Sequence, residues 1–257
     1  MNTMSLFFLI KPVFIFTFNR ERLLYLTTVP FCLLLLFSLL AYRFPIVFLA
    51  DTAEPGVAVN LYMLVGGVLL FGFTFLSLML KTQRILFFGE TEKKGRFFIP
   101  VPDRSFWLYL FTCVRIFCLA LAFSAVVTVL FLLLIRSFGD YSEKKGLIFL
   151  FGMVFFTPYF MSRFVMKLPA QAAGRSLRWF GAWLMVGRLT VMTMAMLAMF
   201  FIVPMGAASF LSMKLSLLHS IVLTFLSNAG MVYSVLLSCV MQSAFCGYEY
   251  SVLSSKA

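Results

Sequence analysis

The sequence predicts an all-α integral membrane protein, a polytopic helical bundle with about six transmembrane helices and additional interfacial helices. The chain is 63% hydrophobic, and its mean hydropathy is +1.04. Only 12% of its residues are charged, whereas soluble domains carry about 25%. The run 116–135 contains no charge and lies between Arg115 and Arg136. A helix of that length spans about 30 Å, which matches the hydrocarbon core of a bilayer. Residues 1–257 are therefore predicted to form a single integral membrane domain.

The N-terminal part predicts an interfacial helix followed by the first span. Residues 4–19 are apolar, but Lys11 and Pro12 in the middle argue against a straight transmembrane helix. The first span is predicted at about 23–42, and we interpret it as a retained signal anchor.

The central part of the chain predicts the second and third spans. The second, about 60–80, contains glycines that would allow another helix to approach closely. The polar residues 81–105 are predicted to form a connection, and the aromatic run 105–114 an interfacial segment. The third span is the uncharged run 116–135.

The C-terminal half predicts three further spans, at about 147–166, 189–211 and 220–243. A basic segment with two tryptophans, 167–188, separates the fourth span from the fifth. In this segment Arg175, Arg178 and Trp179 would share one face of a helix. We therefore predict a cytoplasmic helix that lies parallel to the membrane plane.

The distribution of basic residues predicts the orientation. If the N-terminus is cytoplasmic, sixteen of the 21 Lys and Arg residues lie on that side. Because cytoplasmic loops retain Lys and Arg, both termini are predicted inside, and the net charge of +12 needs no nucleic-acid partner. The other side holds the remaining five, Arg43, Arg136, Lys144, Lys145 and Lys214.

Catalytic and ligand-binding patterns are absent from the sequence. All nine acidic residues are predicted to lie in loops or tails, which disfavours a transporter that couples ions through carboxylates. His219 is the single histidine, and we interpret it as an ordinary interfacial side chain. The five cysteines form no C-x-x-C pair, so we predict no metal site. No catalytic residues and no cofactor are predicted.

Basic and aromatic side chains on the predicted cytoplasmic side are the one positive functional feature. Such clusters attract anionic headgroups by about 1 kcal/mol per basic residue. We name these residues the basic aromatic collar and predict that they contact lipid or a partner protein. The collar comprises Lys81, Arg84, Trp107, Arg115, Arg163, Lys167, Arg175, Arg178, Trp179, Trp183 and Arg188.

Two segments carry a family resemblance. Residues 80–90, LKTQRILFFGE, and 162–188, which include Leu168-Pro169-Ala170 and Ala182-Trp183, resemble uncharacterised six-span proteobacterial inner-membrane proteins. These are the YciC-type family and the membrane domain attached to some glycerophosphodiester phosphodiesterases. This chain has Thr82-Gln83-Arg84 where the family often has Trp-His-Arg. The resemblance implies a six-span protein of the bacterial inner membrane and no established activity.

These observations favour a non-enzymatic integral protein of the bacterial inner membrane. Its expected partners are anionic membrane lipids on the cytoplasmic side and other membrane proteins. The alternative is a small permease or channel subunit, which would require a polar, water-filled cavity in the middle of the membrane.

Overall fold

The computed structural model describes residues 8–43, 55–89, 96–136, 145–187, 190–216 and 221–255, and these ranges contain helices and no strand. The predicted all-α fold class is confirmed. In chain order the described helices are α1 (Ile10–Thr17), α2 (Arg20–Arg43), α3 (Pro55–Phe88), α4 (Arg104–Arg136), α5 (Lys145–Phe164), α6 (Lys167–Ala172), α7 (Trp179–Val186), α8 (Thr190–Ser216) and α9 (Ile221–Ser254).

Five of the described helices, α2, α3, α4, α8 and α9, are long and apolar enough to cross a membrane. The chain therefore has the features of a multi-pass membrane protein. The predicted fourth span lies on α5, which is 20 residues long and contains Pro158. Because α5 is not among the five, the total of six spans stays a prediction.

Several predicted boundaries are wrong because helices continue past the apolar runs. Helix α3 ends at Phe88 rather than at residue 80, and α9 ends at Ser254 rather than at residue 243. Helix α4 begins at Arg104, so 105–114 is part of α4 and not a separate interfacial segment. These extensions carry buried polar side chains, including Thr82, Gln83 and Glu249. A helix whose polar residues face protein can continue where hydropathy declines.

Helix α1 is the described part of the predicted interfacial helix at 4–19. It buries Val13, Phe16 and Thr17 and packs against α9, with the rings of Phe16 and Tyr248 6.3 Å apart. Pro12 lies in its first turn, where the missing N–H breaks no helical hydrogen bond. One face of α1 is therefore packed against the bundle.

The segment 167–188 is not the single flat helix that the sequence predicts. Helix α6 ends at Ala172, Gly174 has a positive φ of 71°, and α7 begins only at Trp179. Arg175 and Arg178 lie in the non-helical link between them, so they share no helical face with Trp179. The left-handed conformation of Gly174 turns the chain and separates the two helices.

The buried core lies at one end of the bundle, which we call the packed end. There the C-terminal halves of α3, α5 and α9 meet the N-terminal halves of α2, α4 and α8. Ser243 of α9 donates a hydrogen bond to the carbonyl of Met79 in α3 (2.7 Å). Along α9, residues 236–253 contain every buried side chain described, and 225–235 contain none. The collar residues described in the structure belong to this end.

Candidate functional site

Arg163 of α5 contacts α7 through one hydrogen bond and an aromatic ring, and a second hydrogen bond stays within α5. Its Nη2 donates to the hydroxyl of Tyr159 (3.0 Å), and its Nη1 donates to the carbonyl of Trp183 (3.5 Å). The guanidinium carbon lies 4.9 Å from the centroid of the Trp183 ring. This cation–π contact brings two members of the collar together.

Lys167, the first residue of α6, makes the same type of contact one turn further along. Its Nζ lies 4.4 Å from the ring centroid of Trp179 and donates a hydrogen bond to the carbonyl of Leu177. Burial, and then the positive charge of Arg115, lower the pKa of Lys167 below its ordinary value. A lowered lysine pKa indicates that the ammonium group is partly desolvated and not compensated by an anion.

An apolar groove of about 570 Å³ opens beside these cations. Trp183 is at its centre, with ring centroids 5.3 Å from Phe164 and 5.8 Å from Phe123. We call it the aromatic groove. It is lined by Leu119, Phe123, Phe164, Trp179, Phe180 and Trp183.

Two cations lie at the same end of the aromatic groove. Arg115, Leu119 and Phe123 are spaced by four residues along α4, so they share one face, with Arg115 toward the packed end. Lys167 follows Phe164 by three residues, and it too lies toward the packed end. The arrangement is an apolar channel with positive charge at one end.

No acidic side chain neutralises these cations within the part of the chain that the structure describes. Arg115, Arg163 and Lys167 form no ion pair there, in contrast to Arg84, whose Nη1 lies 3.9 Å from a carboxylate oxygen of Asp103. Among the described residues, no carboxylate competes with an external anion for this positive charge.

The other described collar residues lie elsewhere. Lys81 and Arg84 are on α3 and line a separate small pocket with Asp103. Trp107 is exposed and stacks edge-on against Phe106 at 5.5 Å. Arg175 and Arg178 are exposed on the link between α6 and α7, while Arg188 lies outside the described residues. The structure thus brings five of the eleven collar residues together: Arg115, Arg163, Lys167, Trp179 and Trp183.

The prediction that every acidic residue lies in a loop or tail is wrong for Glu249. This residue is inside α9 and fully buried. Its Oε1 accepts a hydrogen bond of 2.5 Å from the hydroxyl of Thr193 in α8, and its Oε2 has no partner among the described residues. The continuing stripe of Cys246, Tyr250 and Leu253 would have extended the predicted helix past residue 243.

A larger cavity of about 670 Å³ lies between α3, α4, α5, α8 and α9, and most of its lining is apolar. Two of its polar lining side chains are bonded within the protein. Gln242 Nε2 donates to the carbonyl of Leu197 (2.9 Å), and the hydroxyl of Ser162 donates to the carbonyl of Tyr159 (2.7 Å). This lining suits hydrocarbon better than a hydrated solute.

No group of three side chains suited to a metal ion occurs in the described ranges. Cys239 and Cys246 are buried and unpaired with each other. His219 lies outside the described residues.

Comparison of the chain with protein-family models, with curated proteins and with solved structures finds no match. The resemblance to six-span inner-membrane proteins therefore stays a prediction, and the function is inferred from the residues themselves.

Proposed function

We propose that this chain is a non-enzymatic integral protein of the bacterial inner membrane that binds anionic lipid. One observation carries the proposal. Lys167 contacts the Trp179 ring that lines the apolar aromatic groove, and Arg115 lies close enough to lower the pKa of Lys167. Neither cation forms an ion pair among the described residues. An anionic lipid offers the complementary pair of features, an apolar chain and a negatively charged headgroup.

The chemistry of the aromatic groove assigns a place to each part of the lipid. A hydrocarbon chain would lie along Phe123, Phe164 and Trp183, in contact with ring faces. The phosphate would lie between Lys167 and Arg115. A phosphate there would offset the repulsion between the two cations and favour the charged form of Lys167.

The leaflet follows from the predicted orientation. Because sixteen of the 21 basic residues lie on the predicted cytoplasmic side, the groove would take lipid from the cytoplasmic leaflet. That leaflet carries the negative surface potential which attracts Lys and Arg.

The alternative function, a small permease or channel subunit, has less support. It requires a polar cavity in the middle of the membrane, whereas Gln242 and Ser162 of the large cavity are bonded within the protein. We therefore keep lipid binding as the single proposal.

The proposal is tested by removing both cations from the end of the groove. We expect Arg115→Gln with Lys167→Gln to weaken retention of phosphatidylglycerol and cardiolipin about thirty-fold. Two basic residues contribute about 2 kcal/mol of attraction, and about 1.4 kcal/mol corresponds to a factor of ten. Native mass spectrometry of the full chain, purified in mild detergent, measures the lipid adducts.

The matched control is Arg96→Gln with Arg104→Gln. Both arginines are exposed, belong to the same predicted side of the membrane and do not line the aromatic groove. The control should keep its lipid adducts, although it loses the same net charge. If both double variants lose lipid adducts equally, the arginines and lysine act only through the net positive charge of the protein. The proposed site would then be wrong.

A further inference from the structure

The large cavity between α3, α4, α5, α8 and α9 is separate from the aromatic groove, and the two share no lining residue. Its volume of about 670 Å³ is typical of ligand pockets, which measure about 300–1,000 Å³ and are mostly apolar with a few polar groups. No charged side chain is among the described residues that line it. A charged group placed there would have no counter-ion in the lining, so this cavity suits an uncharged ligand.

The cavity opens toward the lipid. Val114 and Phe117 of α4 and Phe201 of α8 line the cavity, and all three are exposed. Both helices are long and apolar enough to cross a membrane, so exposed apolar side chains along them contact hydrocarbon. A ligand therefore enters from the bilayer, between α4 and α8.

Gln242 of α9 supplies an amide group to this mostly apolar lining. Its Nε2 donates a hydrogen bond to the carbonyl of Leu197 in α8 (2.9 Å), which fixes the orientation of the amide. Its Oε1 accepts no hydrogen bond from the described residues. The side chain is half-buried, and its oxygen is not enclosed by protein in the way that the unpartnered Oε2 of Glu249 is. An amide oxygen is an acceptor, so the ligand has to provide a donor.

The other polar groups of the described lining offer a ligand less. The hydroxyl of Ser162 is buried and uses its proton on the carbonyl of Tyr159 (2.7 Å). Cys113 and Cys246 contribute thiols, which are weak donors and weak acceptors. The hydrogen bond to a ligand is therefore assigned to Gln242.

We propose that the large cavity binds an uncharged lipid with a hydroxyl group, of which a long-chain alcohol is the simplest example. The hydroxyl donates to Oε1 of Gln242, and the chain lies against the apolar lining. A phosphate group would find no cation in that lining, so a phospholipid headgroup fits the cavity less well. The inference goes beyond the anionic lipid site at Lys167 and does not depend on it.

Photo-crosslinking of the full-length protein in mild detergent tests the proposal. The probe is hexadecanol with a diazirine in the middle of its chain, and the comparison probe carries a methyl group in place of the hydroxyl. We expect the alcohol to label the cavity lining of α4, α8 and α9 about fivefold more strongly, which is the effect of about one net hydrogen bond. Peptide mass spectrometry locates the labelled residues.

The decisive variant is Gln242→Met, which keeps a side chain of similar length and removes the amide. Both probes should label it equally. Gln171→Met is the matched control, because this glutamine of α6 accepts a hydrogen bond from Thr112 and does not line the cavity. It should keep the preference for the alcohol. If Gln242→Met does not fold, Ala198→Phe decides the question, since a larger side chain at this exposed lining position should fill the cavity and remove the preference.

The proposal is overturned if the alcohol does not label the lining, if both probes label the wild type equally, or if Gln242→Met keeps the preference. Excess phosphatidylglycerol should not displace the alcohol. Displacement as efficient as that by unlabelled hexadecanol would mean that an ordinary phospholipid chain occupies the cavity, and the proposal would again be wrong. Arg115→Gln with Lys167→Gln should leave the labelling unchanged, so the cavity and the lipid site at Lys167 are tested separately.

Discussion

At the scale of single residues, the buried hydroxyls of the packed end fall into two groups. Thr193 is fully buried and donates its proton to Glu249. Thr74 is also fully buried, but its Oγ1 has no partner within the described ranges. The two threonines have the same size and the same burial, so they separate the contribution of a hydrogen bond from that of packing.

We expect Thr193→Val to destabilise the protein by about 1–3 kcal/mol, because the substitution removes the partner that the buried Glu249 carboxyl has among the described residues. The same change at Thr74 should be neutral or stabilising, since it removes an unsatisfied polar atom. Thermal melting of both variants in one detergent measures the difference. Equal effects would show that the bond to Glu249 contributes nothing measurable.

Residue type alone predicts part of the candidate site. Arg115, Arg163, Lys167, Trp179 and Trp183 are all expected as contacts because basic and aromatic side chains concentrate at the cytoplasmic surface. The burial of Glu249 is not predicted, because the predicted span ends six residues before it. An acidic residue near a span end is interpreted as solvated unless its neighbours show that the helix faces protein.

At the scale of elements, hydropathy locates the middle of each helix and fails at the ends. The run 116–135 is the apolar part of α4, yet α4 begins at Arg104. Its first turns are helical because Tyr109 faces inward and donates a hydrogen bond to Gln83 of α3 (3.1 Å). A hydropathy average cannot detect such a pairing, since the two residues are 26 positions apart.

The aromatic groove, too, could not be predicted from sequence patterns. Its lining comes from α4, α5 and α7, which no sequence spacing relates to one another. Helical periodicity predicts Arg175 and Arg178 on one helix with Trp179, but Gly174 adopts a positive φ and ends that regularity. Glycine can adopt either a left-handed or a helical conformation, and the sequence alone does not show which one Gly174 adopts.

Helices α4 and α5 approach closely where Gly152 faces Thr128. A Cβ atom added at Gly152 would lie 2.6 Å from Cγ2 of Thr128, a fully buried side chain. Because threonine is branched at Cβ, it has few alternative rotamers with which to move away. The contact therefore requires glycine.

We expect Gly152→Ala to destabilise the bundle by about 1–3 kcal/mol through overpacking. Gly72→Ala is the matched control, since nothing lies within 4 Å of a Cβ added there. Alanine at that position should instead stabilise α3 by up to about 1 kcal/mol. Urea or thermal unfolding in detergent distinguishes the two, and a stable Gly152→Ala variant would contradict the close approach.

At the scale of the whole molecule, orientation is the property on which the lipid proposal depends. Cysteines introduced at Glu92 and Ser254 should be shielded from a membrane-impermeant thiol reagent in whole cells, and one introduced at Asp140 should react. The expectation follows from the sixteen basic residues on one side against five on the other. Labelling at position 92 from outside would show that the predicted orientation is wrong. The unmodified chain, with its five native cysteines, provides the baseline for labelling.

The one-sided core also determines how the molecule meets bilayers of different thickness. Helices adjust to a thicker or thinner hydrocarbon layer by changing tilt, at a modest free-energy cost. Here the stretch 225–235 of α9 has no buried side chain, whereas 236–253 is packed against α2, α3 and α8. We therefore expect the helices to change their tilt mainly at the end of the bundle that contains residues 225–235. We expect the end that carries the aromatic groove to keep its shape, so that a thickness change in the surrounding membrane leaves the distance between Lys167 and the ring of Trp179 unaltered.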